Sequence, residues 1–134
     1  MEKMNITASF TRLSQDEKSD IELQTLVDGK TSFLIAELKP GKILPAHYHN
    51  QGSEIYHILS GRGKMETGEM KSGESARDKS GDNIAWAESQ DIGPGDVFEI
   101  QSKVVHRLSN DGEESLRIVF ITPPSHLGDD RFFI

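Results

Sequence analysis

Cysteine is absent from the 134-residue chain, and its absence excludes three kinds of chemistry. The protein can have no disulfide framework, no thiolate zinc site and no cysteine nucleophile. Any metal ion must therefore be bound through nitrogen and oxygen atoms, which histidine, aspartate and glutamate side chains provide. The chain contains five histidines, so the question is whether the sequence brings some of them together.

An excess of positive charge is also lacking, because 15 basic residues stand against 22 acidic ones and the formal net charge is −7. This balance argues against nucleic acid or an anionic membrane surface as the main partner. The first ten residues, MEKMNITASF, have neither the basic start nor the apolar run of a signal peptide, and no later segment is apolar enough to cross a bilayer. We therefore expect a cytoplasmic protein whose partner is a small molecule.

The sequence shows no internal repeat and no second domain such as a DNA-binding helix-turn-helix. Its length suits one domain over residues 1–134, with a core expected at about 21–122. The chain instead contains short runs of branched and aliphatic residues between Gly-, Asn- and Asp-rich breaks. Strands at this spacing are typical of a sandwich or barrel. The predicted strands are Ile21–Val27, Thr31–Leu38, Ile55–Leu59, Ile84–Ala87, Val97–Ile100, Val104–Leu108 and Leu116–Ile121.

Three segments lie outside this pattern. Leu13 to Ser19 is predicted to be a short helix with Ser14 as its cap. The polar stretch at about 68–82, GEMKSGESARDKSGD, is predicted to be a hairpin insertion that forms either a mobile tip or an ordered lid. The C-terminal tail, residues 123–134, is expected to cover the barrel or contact a partner subunit, and we assign no chemistry to it.

The stretch PAHYHNQGSEIYHILSG, Pro45 to Gly61, is the richest in potential ligands. Residues two apart in a strand project from the same face, so His47 and His49 point the same way. Glu54 follows a polar turn and begins an apolar run that would bury it, and a buried carboxylate needs a partner such as a divalent cation. The alternative is a solvated strand end, because an isolated His-x-His pair is common.

The same residues resemble the first signature of the cupins, a superfamily of small β-barrels. The segment GKILPAHYHNQGSEIYHILSG places Gly41, His47, His49, Glu54 and Gly61 at each defining position of that signature. This motif is highly specific.

A second stretch, GDVFEIQSKVVHRLSN, resembles the second cupin signature. It keeps Gly95, His106 and Asn110 at the family's spacing, but Gln101 and Lys103 stand where the family has a turn proline and glycine. The resemblance covers about Thr31 to Ile121, most of the chain.

The resemblance implies an all-β fold, the double-stranded β-helix also called the jelly-roll or cupin barrel. It further implies a metal ion held by His47, His49, Glu54 and His106. Three imidazoles and one carboxylate suit a divalent transition metal, which can be Mn, Fe, Ni, Zn or Cu. The alternative is a metal-free cupin in which the same residues are polar groups of the core.

Neighbouring residues supply candidates for a substrate site. Tyr56 shares the face of Glu54 and is a candidate catalytic acid or hydrogen-bond donor, although filling the core is the simpler role. His57 is turned to the opposite face, and with Ile55 and Leu59 it would give an outer surface through which we expect a homodimer. The candidate pocket residues, which are otherwise barrel core or surface, are Phe33, Ile35, Trp86, Phe98 and Gln101.

The fold cannot decide the function, because cupin barrels host unrelated activities. We favour a metal-dependent enzyme that acts on a small polar metabolite of the sugar, hydroxy-acid or dicarbonyl type by isomerase, lyase or dioxygenase chemistry. The first alternative is a non-catalytic cupin that binds a sugar or organic acid. The second is a structural cupin whose metal only stabilises the barrel.

Overall fold

The computed structural model describes residues 1–72 and 83–134, which form two antiparallel β-sheets facing one another. The strands are β1 (Ser14–Gln15), β2 (Glu22–Asp28), β3 (Ser32–Leu38), β4 (Ile43–Tyr48), β5 (Glu54–Ser60), β6 (Gly63–Met70), β7 (Ile84–Ile92), β8 (Val97–Ile100), β9 (Val105–Ser109), β10 (Leu116–Thr122) and β11 (Phe132–Phe133). One short helix, α1 (Ile6–Ser9), and the 3-10 turns Phe10–Arg12 and Pro124–Leu127 complete the described elements.

The strand order is β1-β2-β3-β10-β5-β8 in one sheet and β11-β4-β9-β6-β7 in the other. Strand β10 lies between β3 and β5, with Phe120 opposite both Leu34 and Tyr56. Strand β9 lies between β4 and β6 in the second sheet. From β3 to β6 and again from β7 to β11, successive strands alternate between the sheets, and the predicted all-β double-stranded β-helix is confirmed.

The core follows from the two-residue alternation of side chains along each strand. On β5, for example, Glu54, Tyr56 and Ile58 are buried while the residues between them are half-buried. Burying a large apolar side chain stabilises the folded state by about 1.5–3 kcal/mol, so this inner face holds the sheets together. The central apolar cluster includes Leu34, Ala36, Leu38, Leu44, Tyr56, Ile58, Met65, Leu108, Leu116, Ile118 and Phe120.

The seven predicted strands correspond to β2, β3, β5, β7, β8, β9 and β10, although β7 continues to Ile92. Strand β4 was implied only by the placement of His47 and His49 on one strand, and β1, β11 and the inner strand β6 were not predicted. The sequence of β6, GKMETGEM, contains two glycines and mostly polar residues, so it carries little apolar alternation. Partners on both sides make it a strand, since β6 pairs with β7 and with β9.

The predicted helix from Leu13 to Ser19 is wrong. The helix instead begins at Ile6, because the side chain of Asn5 accepts a hydrogen bond of 2.9 Å from the amide of Ala8 and caps the first turn. Ser14 and Gln15 pair with β2 as an edge strand. Pairing with an existing sheet outweighs the weak local preference of this segment for a helix.

The predicted hairpin insertion at about 68–82 is partly described. Residues 68–70 end strand β6, where Met70 lies opposite Ile84. Beyond them the amide of Lys71 donates to the carbonyl of Asn83 over 2.8 Å. The remainder, residues 73–82, lies outside the described residues. No described helix is both long and apolar enough to span a membrane.

Candidate metal centre

The four residues of the predicted ligand set lie together at one end of the barrel. Strand pairing places His106 of β9 directly opposite His47 of β4, with ring centroids 4.1 Å apart. The ligand nitrogens of His47, His49 and His106 can all lie within 4.8 Å of one another. Glu54 joins them through Oε2, which is 2.7 Å from Nε2 of His49, and Oε1, which is 3.6 Å from Nε2 of His106. All four residues are at most 5% exposed.

The three imidazoles are oriented by their other ring nitrogen. Each Nδ1–H donates to a main-chain carbonyl oxygen, which leaves Nε2 with a free lone pair. A hydrogen bond from the nitrogen that does not face the metal fixes the tautomer and the ring orientation of a metal-ligating histidine. The contacts are His47 to Pro45 at 2.8 Å, His106 to Val104 at 3.0 Å and His49 to Asp130 at 2.6 Å.

Two of these Nε2 atoms have no partner within the described chain. Nε2 of His49 and Nε2 of His106 are buried without a hydrogen bond, since the carboxylate of Glu54 is close but not aligned with them. A buried polar atom left unpaired costs about 1–3 kcal/mol. A divalent cation that accepted these lone pairs would remove that cost, so the residues present fit a metal ion.

The protonation states of the cluster also suit a metal. Burial, together with the neighbouring His106, lowers the pKa of His47 to about 3. Burial alone would raise the pKa of Glu54, but the imidazoles of His106, His126 and His49 beside the carboxyl hold that pKa well below its usual range. At neutral pH the cluster therefore offers neutral His47 and a carboxylate, as metal ligation requires.

A fifth residue of the cluster, His126, was not predicted. It is 2% exposed and lies in the turn Pro124–Leu127 that follows β10. Its Nδ1 is 3.2 Å from Oε2 of Glu54, and its Nε2 is 2.6 Å from the carbonyl of Gln51. The ring stacks on His49 with centroids 3.9 Å apart. No spacing rule could have found it, because 72 residues separate it from Glu54.

Both nitrogens of His126 face oxygen acceptors, so both are placed to donate a proton. Burial alone would lower the pKa of His126, but the hydrogen bond with Glu54 and the contact with the carbonyl of Gln51 outweigh it and raise that pKa. In this arrangement His126 is a donor to the ligand carboxylate and has no lone pair directed at an ion.

Tyr56 points into the barrel, as its alternation with His57 predicts. It is 0% exposed and stacks on Phe98 with centroids 5.0 Å apart. Its hydroxyl oxygen is buried and has no hydrogen-bond partner among the described residues. Burial and the nearby charge of Glu54 raise the pKa of Tyr56 well above its usual value, so the phenol keeps its proton.

A cavity of about 40 Å³ adjoins the cluster and has an apolar wall. A cavity needs at least about 10–15 Å³ of this kind of volume to hold one water molecule, so this cavity is large enough for water or a small ligand group. The cluster side is formed by His47, His49, Glu54, Tyr56 and His126. The apolar side includes Leu23, Leu34, Leu44 and Phe120.

Strand β3 contributes Leu34 to this cavity rather than the predicted Phe33 or Ile35. Leu34 and Ala36 belong to the central cluster, so alternation turns Phe33 and Ile35 to the opposite face of the sheet. The sequence prediction had the correct strand but the wrong face.

The other predicted pocket residues lie elsewhere. Phe98 and Gln101 border a separate groove of about 610 Å³ between β6, β7 and β8. Trp86 packs against Ala46 and Val105, the sequence neighbours of His47 and His106, and therefore lies on the outer face of its sheet.

The departures from the second signature do not disturb the loop before His106. Lys103 adopts a φ of 67°, the left-handed conformation for which the family uses glycine at this position. Its amide donates to the carbonyl of His49 over 2.6 Å, which links the loop to the cluster of histidines and Glu54. The signature residue Asn110 is structural, since its side-chain amide donates to the carbonyls of Leu38 and Glu114, each at 2.8 Å.

Comparison with known proteins agrees with this geometry. The family model described as "Cupin domain" matches residues 34–122. The chain is 52% identical over 31 residues to germin-like protein subfamily 3 member 2 of Arabidopsis thaliana, a match that spans 23% of this chain and 14% of that protein.

Two solved structures illustrate the similarity of fold. A conserved protein with a double-stranded β-helix domain from Klebsiella pneumoniae superposes with a TM-score of 0.66 at 14% identity, covering 98% of this chain and 97% of that one. Bacillus subtilis oxalate decarboxylase, studied for its Mn(II) centres, superposes with a TM-score of 0.62 at 17% identity, covering 88% of this chain and 28% of that one.

Proposed function

The chain belongs to the cupin family, and from this premise we propose that it is a metal-dependent enzyme acting on a small polar metabolite. The observation that carries the proposal is the cluster of His47, His49, Glu54 and His106 beside a cavity. The buried Nε2 atoms of His49 and His106 have no hydrogen-bond partner among the residues that the structure describes.

The bound ion is proposed to be a divalent transition metal. Three imidazoles and one carboxylate suit Mn, Fe, Ni, Zn or Cu, and four protein ligands leave about two positions of an octahedron for a substrate. When bound, such an ion polarises substrate oxygens as a Lewis acid. Manganese is the first ion to test, because an oxalate decarboxylase of similar fold has Mn(II) centres.

The residues of the cavity restrict the substrate. Its volume of about 40 Å³ favours the smallest members of the sugar, hydroxy-acid and dicarbonyl class. An apolar wall beside the reacting atoms lowers the local polarity, which strengthens electrostatic interactions with them. Tyr56 holds its proton on a hydroxyl that has no partner among the described residues, so it can donate a hydrogen bond to a substrate oxygen. Isomerase, lyase and dioxygenase chemistry all fit this arrangement.

The alternative function is non-catalytic binding of a small organic acid or sugar. One observation favours it: among the described residues that line the cavity, Glu54 is the only carboxylate. Because that carboxylate belongs to the metal cluster, a reaction that needs a separate carboxylate as general base would lack one.

The test begins with elemental analysis of protein purified without chelators, and His49→Ala serves as the ligand-deficient control. A metabolite screen with the reconstituted metal follows. Iron or copper with oxygen consumption would support a dioxygenase, whereas manganese, zinc or nickel without it would support an isomerase or lyase. Saturable binding without turnover would support the binding function, and a metal-free wild type that takes up no ion would reject the proposal.

A further inference from the structure

The C-terminal segment, residues 123–134, reaches the metal cluster at three points. His126 contacts Glu54, with 3.2 Å between Nδ1 and Oε2. Asp130 receives the Nδ1–H of His49 on its main-chain oxygen at 2.6 Å. The ring of Phe133 lies 5.2 Å from that of His47, and the two residues are paired between β11 and β4. All three candidate ligands of the first signature are therefore contacted by the last nine residues of the sequence.

The contact of His126 sets the rotation of the Glu54 carboxylate. Oε2 of Glu54 lies between Nε2 of His49 at 2.7 Å and Nδ1 of His126 at 3.2 Å. Since the other nitrogen of His126 is held by the carbonyl of Gln51, the imidazole cannot turn without losing both contacts. A carboxylate fixed in this way presents its other oxygen, Oε1, toward His106.

The contacts of Asp130 fix the other part of the first signature. Its carboxylate accepts from the amide of Asn50 at 2.7 Å and from the amide of Gln51 at 3.0 Å. These amides begin the turn that joins His49 to Glu54. Asp130 therefore holds the His49 ring through its main chain and the following turn through its side chain.

The segment is anchored on both sides of these contacts. Strand β11 pairs with β4, and the amide of Ile134 donates to the carbonyl of Ala46 over 3.2 Å. Arg131 donates to both carboxylate oxygens of Asp16, at 2.9 and 3.1 Å, in a pair whose side chains are each 8% exposed.

We propose that residues 123–134 form the positioning element of the metal centre, in which His126 orients Glu54 and Asp130 orients His49. This inference rests on the metal site of the proposed function and adds residues that lie outside both cupin signatures. His126 acts through Glu54 and is not itself a ligand, because both of its ring nitrogens face oxygen atoms of the protein.

The experiment measures the dissociation constant for Zn²⁺ by chelator competition on full-length variants. His126→Ala should weaken binding by about 10–100-fold, the range typical of residues that orient metal ligands. His126→Gln should recover part of that loss, because its amide can donate to Glu54. Asp130→Ala should also weaken binding. The controls are His57→Ala and the exposed neighbour Asp129→Asn, which should stay within about two-fold of wild type.

A double-mutant cycle separates positioning from a general loss of structure. If His126 acts through Glu54, His126→Ala should cost less than about three-fold when Glu54 is already alanine, since the two effects then overlap. An equal loss in both backgrounds would overturn the inference, as would a His126→Ala variant that binds Zn²⁺ as tightly as wild type. Circular dichroism checks folding, and the polar substitution His126→Gln covers the case in which the alanine variant unfolds. A wild type that binds no ion would reject the inference together with the proposed function, whereas binding that is insensitive to these variants would reject the inference alone.

Discussion

The imidazole of His126 stacks on that of His49, with ring centroids 3.9 Å apart and planes 3° from parallel. One ring follows β4 and the other follows β10, so the contact joins two segments that are far apart in the sequence. Stacking brings a nitrogen of each ring to the same oxygen of Glu54. The proposed metal site is thus bounded on one side by a histidine that lies outside both cupin signatures.

The first prediction separates ligand histidines from other histidines in the same stretch. His49→Ala and His106→Ala should each remove most of the bound metal, because losing one of four ligands should lower affinity by more than the roughly 10–100-fold typical of outer contacts. His57→Ala should keep the metal, since alternation turns its side chain away from Glu54. The measurement is metal per chain after dialysis against a weak chelator, with circular dichroism to verify folding. Equal retention in the His49 and His57 variants would rule out the metal site.

Much of the site was predictable because its geometry is local. A strand alternates its side chains, so the shared face of His47 and His49 and the outward turn of His57 follow from the sequence. His106 required the family resemblance, because strand pairing alone brings it opposite His47.

His126 could not be predicted from the sequence. Its position depends on where the turn after β10 lands on the barrel, and that is decided by tertiary contacts such as the one between Arg131 and Asp16. The prediction of Phe33 and Ile35 as pocket residues missed the cavity for a different reason. Register decides which face of β3 is inward, and two neighbouring apolar residues such as Phe33 and Leu34 carry no signal to choose between them.

The second prediction concerns Lys103, which holds a left-handed φ of 67°. This conformation costs a non-glycine residue about 1–2 kcal/mol. Glycine removes that cost, but it loses about 0.5–1 kcal/mol more backbone entropy on folding. Lys103→Gly should therefore stabilise the fold by up to about 1 kcal/mol and raise the melting temperature by a few degrees. The control is Lys42→Gly, at an exposed lysine whose φ is not positive, which should not stabilise. A lower melting temperature for Lys103→Gly would contradict the prediction.

The third prediction concerns the hydroxyl of Tyr56, for which the described part of the chain supplies no hydrogen-bond partner. Removing a buried hydroxyl that makes no hydrogen bond relieves its desolvation cost, so Tyr56→Phe should leave the stability unchanged or raise it by up to about 1 kcal/mol. The same change should weaken substrate or ligand binding about ten-fold if the hydroxyl donates to it. Tyr48→Phe is the control. Tyr48 lies on β4 and points to the face opposite His47, so this change should leave binding unaltered. A stable Tyr56→Phe variant with wild-type ligand affinity would remove Tyr56 from the proposed site.

The fourth prediction is a homodimer formed through the outer face of β5. Ile55, His57 and Leu59 alternate there and are all half-buried in the single chain, so a second copy could cover their remaining apolar surface. Light scattering at micromolar concentration should give twice the monomer mass, and His57→Asp should shift it toward the monomer. A monomeric wild type would refute the proposal.

The last prediction uses acid to test the anchor of the C-terminal segment. Burial alone would raise the pKa of Asp16, but its hydrogen bonds from Arg131 and Ser19 outweigh burial and lower that pKa below 3.8. A carboxyl whose folded pKa is lowered stabilises the protein above its unfolded pKa, and this contribution is lost as pH falls through the folded value. Asp16→Asn should therefore lower the free energy of unfolding by about 2 kcal/mol at pH 7, the scale of a hydrogen bond to a charged group.

The difference between wild type and Asp16→Asn should shrink as the pH is lowered from about 4, close to the unfolded pKa of an aspartate. Denaturant unfolding at pH 7, 5, 4 and 3 measures this difference and cancels the acid sensitivity that the two proteins share. Asp20→Asn, at an exposed position on the same segment, should change stability by less than about 0.5 kcal/mol throughout. A difference that stayed constant down to pH 3 would mean that the Asp16 charge does not stabilise the fold, and that the pairing of β11 with β4 is the main anchor of the C-terminal segment.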